Sequence, residues 1–178
     1  MGLKFLIADL SMASGTRGYL GNLKWLLLNH SAHLVAFYRL GQSVSTIPVI
    51  GKFLRFLIEY IIRILFASDL SCRSRIGPGL VIVHGHDIVI GADVIIGENC
   101  KIFNGVTLGN KDITKSSSGN QPTVGNNVVL STGAKILGPL ILGSNVVVGA
   151  NSVVLSSFAD DTVVAGLPAK IVRRRRGG

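Results

Sequence analysis

An aliphatic residue returns every six positions through the middle of this chain. One register holds Val124, Leu130, Ile136, Leu142, Val148 and Val154, with Gly125, Gly143 and Gly149 following three of them. An earlier register holds Ile90, Ile96, Ile102 and Leu108, followed by Gly91, Gly97 and Gly109, and Ile76 and Ile82 begin the series. A period of six kept up from Ile76 to Val154 predicts a hexapeptide β-solenoid. Six residues make one short strand plus a corner, so three hexads close a triangular coil. The aliphatic side chain points inward each time, and stacked coils share one apolar core. Asn126, Asn127, Asn145 and Asn151 fall near corners, where asparagine tolerates left-handed backbone.

The register breaks twice. Ile82 to Ile90 spans eight positions, around His84-Gly85-His86-Asp87. Leu108 to Val124 spans sixteen, and the extra residues form a polar, aperiodic insert from Asn110 to Pro122. Insertions in repeat proteins map to loops on one face, often the binding face. One histidine-rich corner and one long loop are therefore where function is sought.

With 178 residues the chain has room for one solenoid and a smaller helical part. We place a helical region at 1–68, the solenoid at 69–172 and a basic, mobile tail at 173–178. Met1 to Gly21 reads as short helix and loop. Asn22 to Ser45 reads as one helix, in which His30 and His33 serve packing. Pro48 and Gly51 precede a second helix, Lys52 to Phe66. There Arg55, Glu59 and Arg63 form one charged stripe and the rest is apolar. That helix is too short and too charged to span a bilayer. It suits packing on the solenoid or a neighbouring subunit, or lying in a membrane interface beside basic residues.

Cys72 and Cys100 suggest small apolar packing groups, not a disulfide framework. Met1 to Leu10 lacks the shape of a signal peptide, so a cytoplasmic setting is expected. The net charge of +9 is spread along the chain apart from Lys170 and Arg173 to Arg176. No nucleic-acid recognition module accompanies it and aromatics for base stacking are few. A zinc hydratase site needs three histidines, and the solenoid carries only His84 and His86. No metal is expected. A non-catalytic membrane scaffold is a further class to weigh, and CoA binding separates it from an enzyme.

Asp69, Ile76-Gly77, His84, Ile88-Val89-Ile90-Gly91, Val106-Thr107-Leu108-Gly109, Gly133 to Gly138 and Ala165 to Lys170, taken in order, resemble the serine acetyltransferase family of left-handed β-helix acyltransferases. The chain is most similar to the branch that acetylates bacterial polysaccharides. The resemblance implies a left-handed parallel β-helix and a homotrimer, with acetyl-CoA in grooves between solenoids. It matches His84 to the catalytic base and Asp69 to the carboxylate that orients it. Gly109, Thr132 and Ala150 match corners that contact CoA through the backbone, helped by the Ala165 to Lys170 turn. Lys111, Lys115, Lys170 and the final arginines are available to its phosphates.

The chemistry agrees on its own terms. Acetyl transfer to a hydroxyl needs a group that takes the proton as oxygen attacks the thioester. A neutral imidazole, which titrates near pH ~6.5, suits the task and gives roughly 10²–10⁴ in rate. A carboxylate on the second ring nitrogen fixes the tautomer. Backbone N–H groups at Gly109-Asn110 are candidates for the oxyanion. His86 is the rival base; with Asp87 and Gln121 it is otherwise an acceptor-binding residue. In the serine enzymes a histidine precedes the insert's closing proline and an aspartate precedes the catalytic histidine. Here those positions hold Gln121 and Val83. Both family residues hold charged groups of serine, so their loss points to a saccharide hydroxyl as the acceptor, with serine as the alternative.

Overall fold

The computed structural model describes residues 2–16 and 18–174. Four helices open the chain: α1 (Gly2–Ser14), α2 (Tyr19–Leu28), α3 (His30–Val44) and α4 (Ile50–Phe66). The first twenty-one residues are thus more helical than their glycines suggest. The single helix expected from Asn22 to Ser45 is two helices. Asn29 ends α2 in extended backbone and its side chain accepts the Ala32 N–H at 3.1 Å, capping α3.

The solenoid follows as coils of three strands. The first holds β1 (Asp69–Leu70), β2 (Arg75–Ile76) and β3 (Val81–Val83), and the second β4 (Val89–Ile90), β5 (Ile95–Ile96) and β6 (Lys101–Phe103). The third holds β7 (Thr107–Gly109), β8 (Thr123–Val124) and β9 (Val129–Leu130). The fourth holds β10 (Lys135–Leu137), β11 (Ile141–Leu142) and β12 (Val147–Val148), and β13 (Val153–Val154) starts a fifth. A hairpin of β14 (Thr162–Gly166) and β15 (Ala169–Arg174) closes the end. Arg173 and Arg174 therefore belong to a strand, while Arg175 and Arg176 lie outside the described residues.

Strands stack in parallel into three faces, ordered β1-β4-β7-β10-β13, β11-β8-β5-β2 and β15-β14-β12-β9-β6-β3, with only β15 antiparallel. The hexad aliphatics supply the inward position of each strand. Ile76, Ile82, Ile90, Ile96, Ile102, Leu108, Val124, Leu130, Ile136, Leu142, Val148 and Val154 are all at most 6% exposed. A second inward position lies in the corners, at Val94, Val106, Val128, Ala134, Leu140 and Val146. Cys100 occupies it too, whereas Cys72 packs beside α3 with its Sγ 3.9 Å from the Tyr38 carbonyl; both are buried and free. Burial pushes the Cys72 thiol from 9.0 up to about 12 and raises that of Cys100.

The regular stacking distance is eighteen residues: Val89 pairs with Thr107 and Lys135 with Val153. Asp69 pairs with Val89 and Thr107 with Lys135, intervals of twenty and twenty-eight. The two sequence breaks are thus corner insertions of two and ten residues, and neither disturbs the strands around it.

The helices are fastened to the first coil by buried polar groups. Arg39 and Asp9 form an ion pair at 2.8 Å with side chains 0% and 1% exposed. Arg39 also donates to the carbonyls of Ile76 and Gly77, and Asp9 accepts the Leu80 N–H. The Tyr38 hydroxyl, shared with Ser74 and Gln42, is driven upward in pKa by burial. Helix α4 buries Ile58, Ile62 and Phe66 against α3 and β1, which meets the expectation of packing on protein for that face. Its other side leaves Phe53, Phe56, Tyr60 and Ile64 more than half exposed. Among the described residues no helix is long and apolar enough to cross a membrane.

Candidate active site

The first break shapes the histidine corner. The His86 carbonyl accepts the Gly105 N–H, the Asn104 carbonyl the Gly133 N–H, and the Thr132 carbonyl the Asn151 N–H. His86, Asn104, Thr132 and Ala150 are therefore equivalent positions in successive coils, and His84 and Gly85 are the two extra residues. His84 protrudes from the ridge in left-handed backbone, φ 56°, which is uncommon for a residue with a side chain. Gly85 permits this because the corner presses on α3. A Cβ there would come within 3.1 Å of Leu34 and 3.2 Å of Ser31. The Gly85 N–H donates to Ser31 Oγ at 2.9 Å.

His84 and His86 are exposed in an open cleft of about 610 Å³, lined on the helical side by Trp25, Asn29, His30 and Ser31 and on the solenoid side by Lys101. His30 also packs its ring on Phe66 at 4.5 Å, as expected of a packing histidine. Ser31 and Asn29 went unnoticed in the sequence. The asparagine before a helix start was the available signal.

Above His86 the ridge continues through Thr132 and Ala150, so two of the three corners matched to CoA line up with the histidine corner in one column, and Gly109 does not. The Thr132 hydroxyl sits 3.2 Å from Asn104 Oδ1. Ala165 and Lys170 face each other across the closing hairpin at the end of the column.

Asp69 is held elsewhere. Its carboxylate takes both contacts from Arg63 Nη2, at 2.9 and 3.1 Å, and among the described residues no hydrogen bond joins it to His84. Asp87, also in left-handed backbone, donates its N–H to the Ala67 carbonyl.

Gly109, Asn110 and Gln121 lie on the opposite edge of the β1-β4-β7-β10-β13 sheet, where the insert leaves and rejoins the solenoid. Gly109 accepts the Gly138 N–H. Asn110 Nδ2 donates to the carbonyls of Lys115 and Ser116, so Asn110 braces the insert. Gln121 Oε1 accepts the Asp93 N–H at 2.8 Å. Within one chain, then, the expected site residues divide between two ridges: His84, His86, Asp87, Thr132 and Ala150 on one, Gly109, Asn110 and Gln121 on the other. Among the described residues no group of three His, Cys, Asp or Glu side chains could hold a metal ion.

Comparison with known proteins fits this geometry. A hexapeptide-repeat family, bacterial transferase hexapeptide (six repeats), matches residues 121–156. The chain is 35% identical over 155 residues to a serine acetyltransferase of Helicobacter pylori, covering 86% of this chain and 88% of the relative. The chain belongs to the serine acetyltransferase family. It is also 38% identical over 142 residues to the serine acetyltransferase of Synechococcus elongatus, covering 80% of this chain but spanning only about half, 54%, of that relative. Among solved structures, Neisseria gonorrhoeae serine acetyltransferase in complex with serine superposes with a TM-score of 0.83 at 28% identity, over 96% of this chain and 69% of that one. A serine acetyltransferase complex with CoA superposes with a TM-score of 0.80 at 29% identity, over 96% and 69% of the two chains.

These relatives correct the acceptor. The likeness to the saccharide-acetylating branch, and the saccharide acceptor read from Val83 and Gln121, give way to serine acetyltransferases that match most of the chain. Two positions without charge do not outweigh a likeness of that length, because a charged partner can be supplied from elsewhere in a site.

Proposed function

We propose that the protein transfers the acetyl group of acetyl-CoA to the hydroxyl of L-serine, with His84 as the base. The observation that carries this is the 35% identity to a serine acetyltransferase over 88% of its length. Support comes from the protruding His84 at the foot of the corner column that the resemblance matches to CoA. His84 takes the serine hydroxyl proton as oxygen attacks the thioester carbonyl. The tetrahedral intermediate then collapses, the carbon–sulfur bond breaks, and the CoA thiolate leaves with the proton returned by the imidazolium. The products are O-acetylserine and CoA. Asp69 orients the imidazole once released from Arg63, and N–H groups at Gly109-Asn110 receive the oxyanion. Thr132, Ala150, Ala165 and Lys170 hold CoA, and His86, Asp87 and Gln121 border the acceptor.

The division of these residues between two ridges favours a homotrimer in which the His84 ridge of one copy meets the insert ridge of the next. The exposed apolar side of α4, beside Lys52 and Arg63, is proposed for peripheral contact with anionic lipid. Release of CoA thiol, followed with serine, with a saccharide panel and with no acceptor, tests the reaction. Turnover on L-serine is expected, and no turnover on it refutes the reading. Light scattering tests the trimer, and sedimentation with anionic vesicles at low salt tests the lipid contact.

A further inference from the structure

A second open cleft, of about 600 Å³, lies beside Gln121 on the edge away from His84. Arg73, Arg75 and Asp93 line it together with Ile95 and Ile141. Their placement follows from the strand pattern. In β2, β5 and β11 the second residue points into the core, so Arg75, Ile95 and Ile141 face outward on one sheet. Arg75 pairs with Ile95, which puts Arg73 and Asp93 at equivalent corner positions one coil apart. Gln121 closes the wall through its bond to the Asp93 N–H. Both arginines are exposed, and among the described residues none of the three charges is in an ion pair. Asp9 with Arg39 and Asp69 with Arg63, by contrast, neutralise each other.

We propose that this cleft is the amino-acid clamp of the enzyme: Arg73 and Arg75 bind the α-carboxylate of serine and Asp93 binds its α-ammonium. This rests on the serine-acetylating reading above. Serine is a zwitterion, and selecting it over a neutral alcohol requires a partner for each charge. The positions that the resemblance assigns to that task hold Val83 and Gln121, which carry none. The cleft supplies two cations and one anion around Gln121. Guanidinium groups suit a carboxylate because their N–H donors match its two oxygens. The apolar Ile95 and Ile141 displace water beside them and strengthen the attraction. This cleft shares no lining residue with that of His84, so the serine hydroxyl held here is presented to the His84 of an adjoining copy.

The test is kinetic, with L-serine and two truncated analogues. Arg75→Gln should raise the KM for L-serine roughly 10–100-fold, the range for a charge-assisted hydrogen bond, and leave that for acetyl-CoA unchanged. On L-serinamide, which keeps the ammonium and lacks the carboxylate, Arg75→Gln and wild type should be alike. Asp93→Asn should weaken L-serine but not 3-hydroxypropionate, which lacks the ammonium. Mixing His84→Ala with Arg75→Gln protein should restore part of the activity that each lacks on serine. An unchanged KM for L-serine in both Arg73→Gln and Arg75→Gln, or equal losses on serine and serinamide, overturns the clamp. If wild type does not acetylate serine, calorimetric titration with L-serine separates the two ideas. Binding that disappears in Arg75→Gln keeps the clamp and retires only the acetyl transfer, whereas absence of binding to wild type retires the clamp as well.

Discussion

Asp9→Ala is the substitution whose cost the structure defines best. The carboxylate is 1% exposed and receives Arg39 Nε at 2.8 Å, Arg39 Nη2 at 3.2 Å and the Leu80 N–H at 2.8 Å. Its removal leaves a fully buried guanidinium facing only neutral acceptors: the carbonyls of Ile76 and Gly77 and the Gln42 amide. It also leaves the Leu80 N–H unpaired. Breaking a buried pair from one side costs about 3–5 kcal/mol. The stranded N–H costs about 1–3 kcal/mol, but part of this is the same desolvation, so we expect about 4 kcal/mol in all. A fold of ordinary stability has about 5–15 kcal/mol to lose. At 2–4 °C per kcal/mol for a chain of this size, the melting temperature should fall by roughly 8–16 °C. Urea and thermal unfolding at one fixed protein concentration measure it. Asp9→Leu combined with Arg39→Met should recover much of the loss, because no charge is then stranded. A loss below about 1 kcal/mol for Asp9→Ala, the worth of a surface pair, would refute the claim that this pair fastens the helices to the solenoid.

His84→Ala should lower kcat by roughly 10²–10⁴ with acetyl-CoA affinity preserved, and Asp69→Asn should lose less. A crippling His86→Ala beside a mild His84→Ala would move the base to His86. Deleting Lys111 to Ser118 should harm turnover more than melting temperature, since the insert contributes no inward-facing strand residue; a large thermal loss would contradict this. Alkaline pH should destabilise the fold. Unfolded Cys72 loses its proton above pH 9.0, while the buried thiol keeps its own to about 12. The unfolded state therefore binds fewer protons across that window, and stability falls by about 1.4 kcal/mol per pH unit. Unfolding curves from pH 8 to 11 check the sign, and Cys72→Ala should flatten the slope.

Period-six aliphatics told the solenoid's story almost completely, because each one is an inward strand position and nothing else in the chain competes with that pattern. The intervals of eight and sixteen located both corner insertions for the same reason. The helical part was less legible. Asn22 to Ser45 keeps its apolar spacing across the α2–α3 break, and only the capping side chain of Asn29 marks it. Asp9 and Arg39 lie thirty residues apart, and nothing local to either announces a buried pair. The candidate site was half legible. The register break pointed to the corner that carries His84, yet the sequence could not show that this corner is anchored by Ser31, or that Asp69 is occupied by Arg63.

Why Val83 and Gln121 misled about the acceptor follows from the geometry of a coil. A linear reading weighs the neighbours of a residue along the chain, so the loss of charge at two motif positions reads as the loss of charge from the site. In a solenoid the nearer neighbours lie one coil away, at intervals of eighteen, or of twenty where the first corner is enlarged. The Asp93 N–H reaches Gln121 across the ten-residue insert, and Arg73 holds the position equivalent to Asp93 across the two-residue one. Both relations cross a register break, the very place where counting hexads along the sequence goes astray. A charge set one coil away can therefore line the same cleft as a position that lacks it, as Arg73 and Asp93 do beside Gln121. A motif position that has lost its charge is a reason to look one coil up and one coil down before the ligand is judged to have changed.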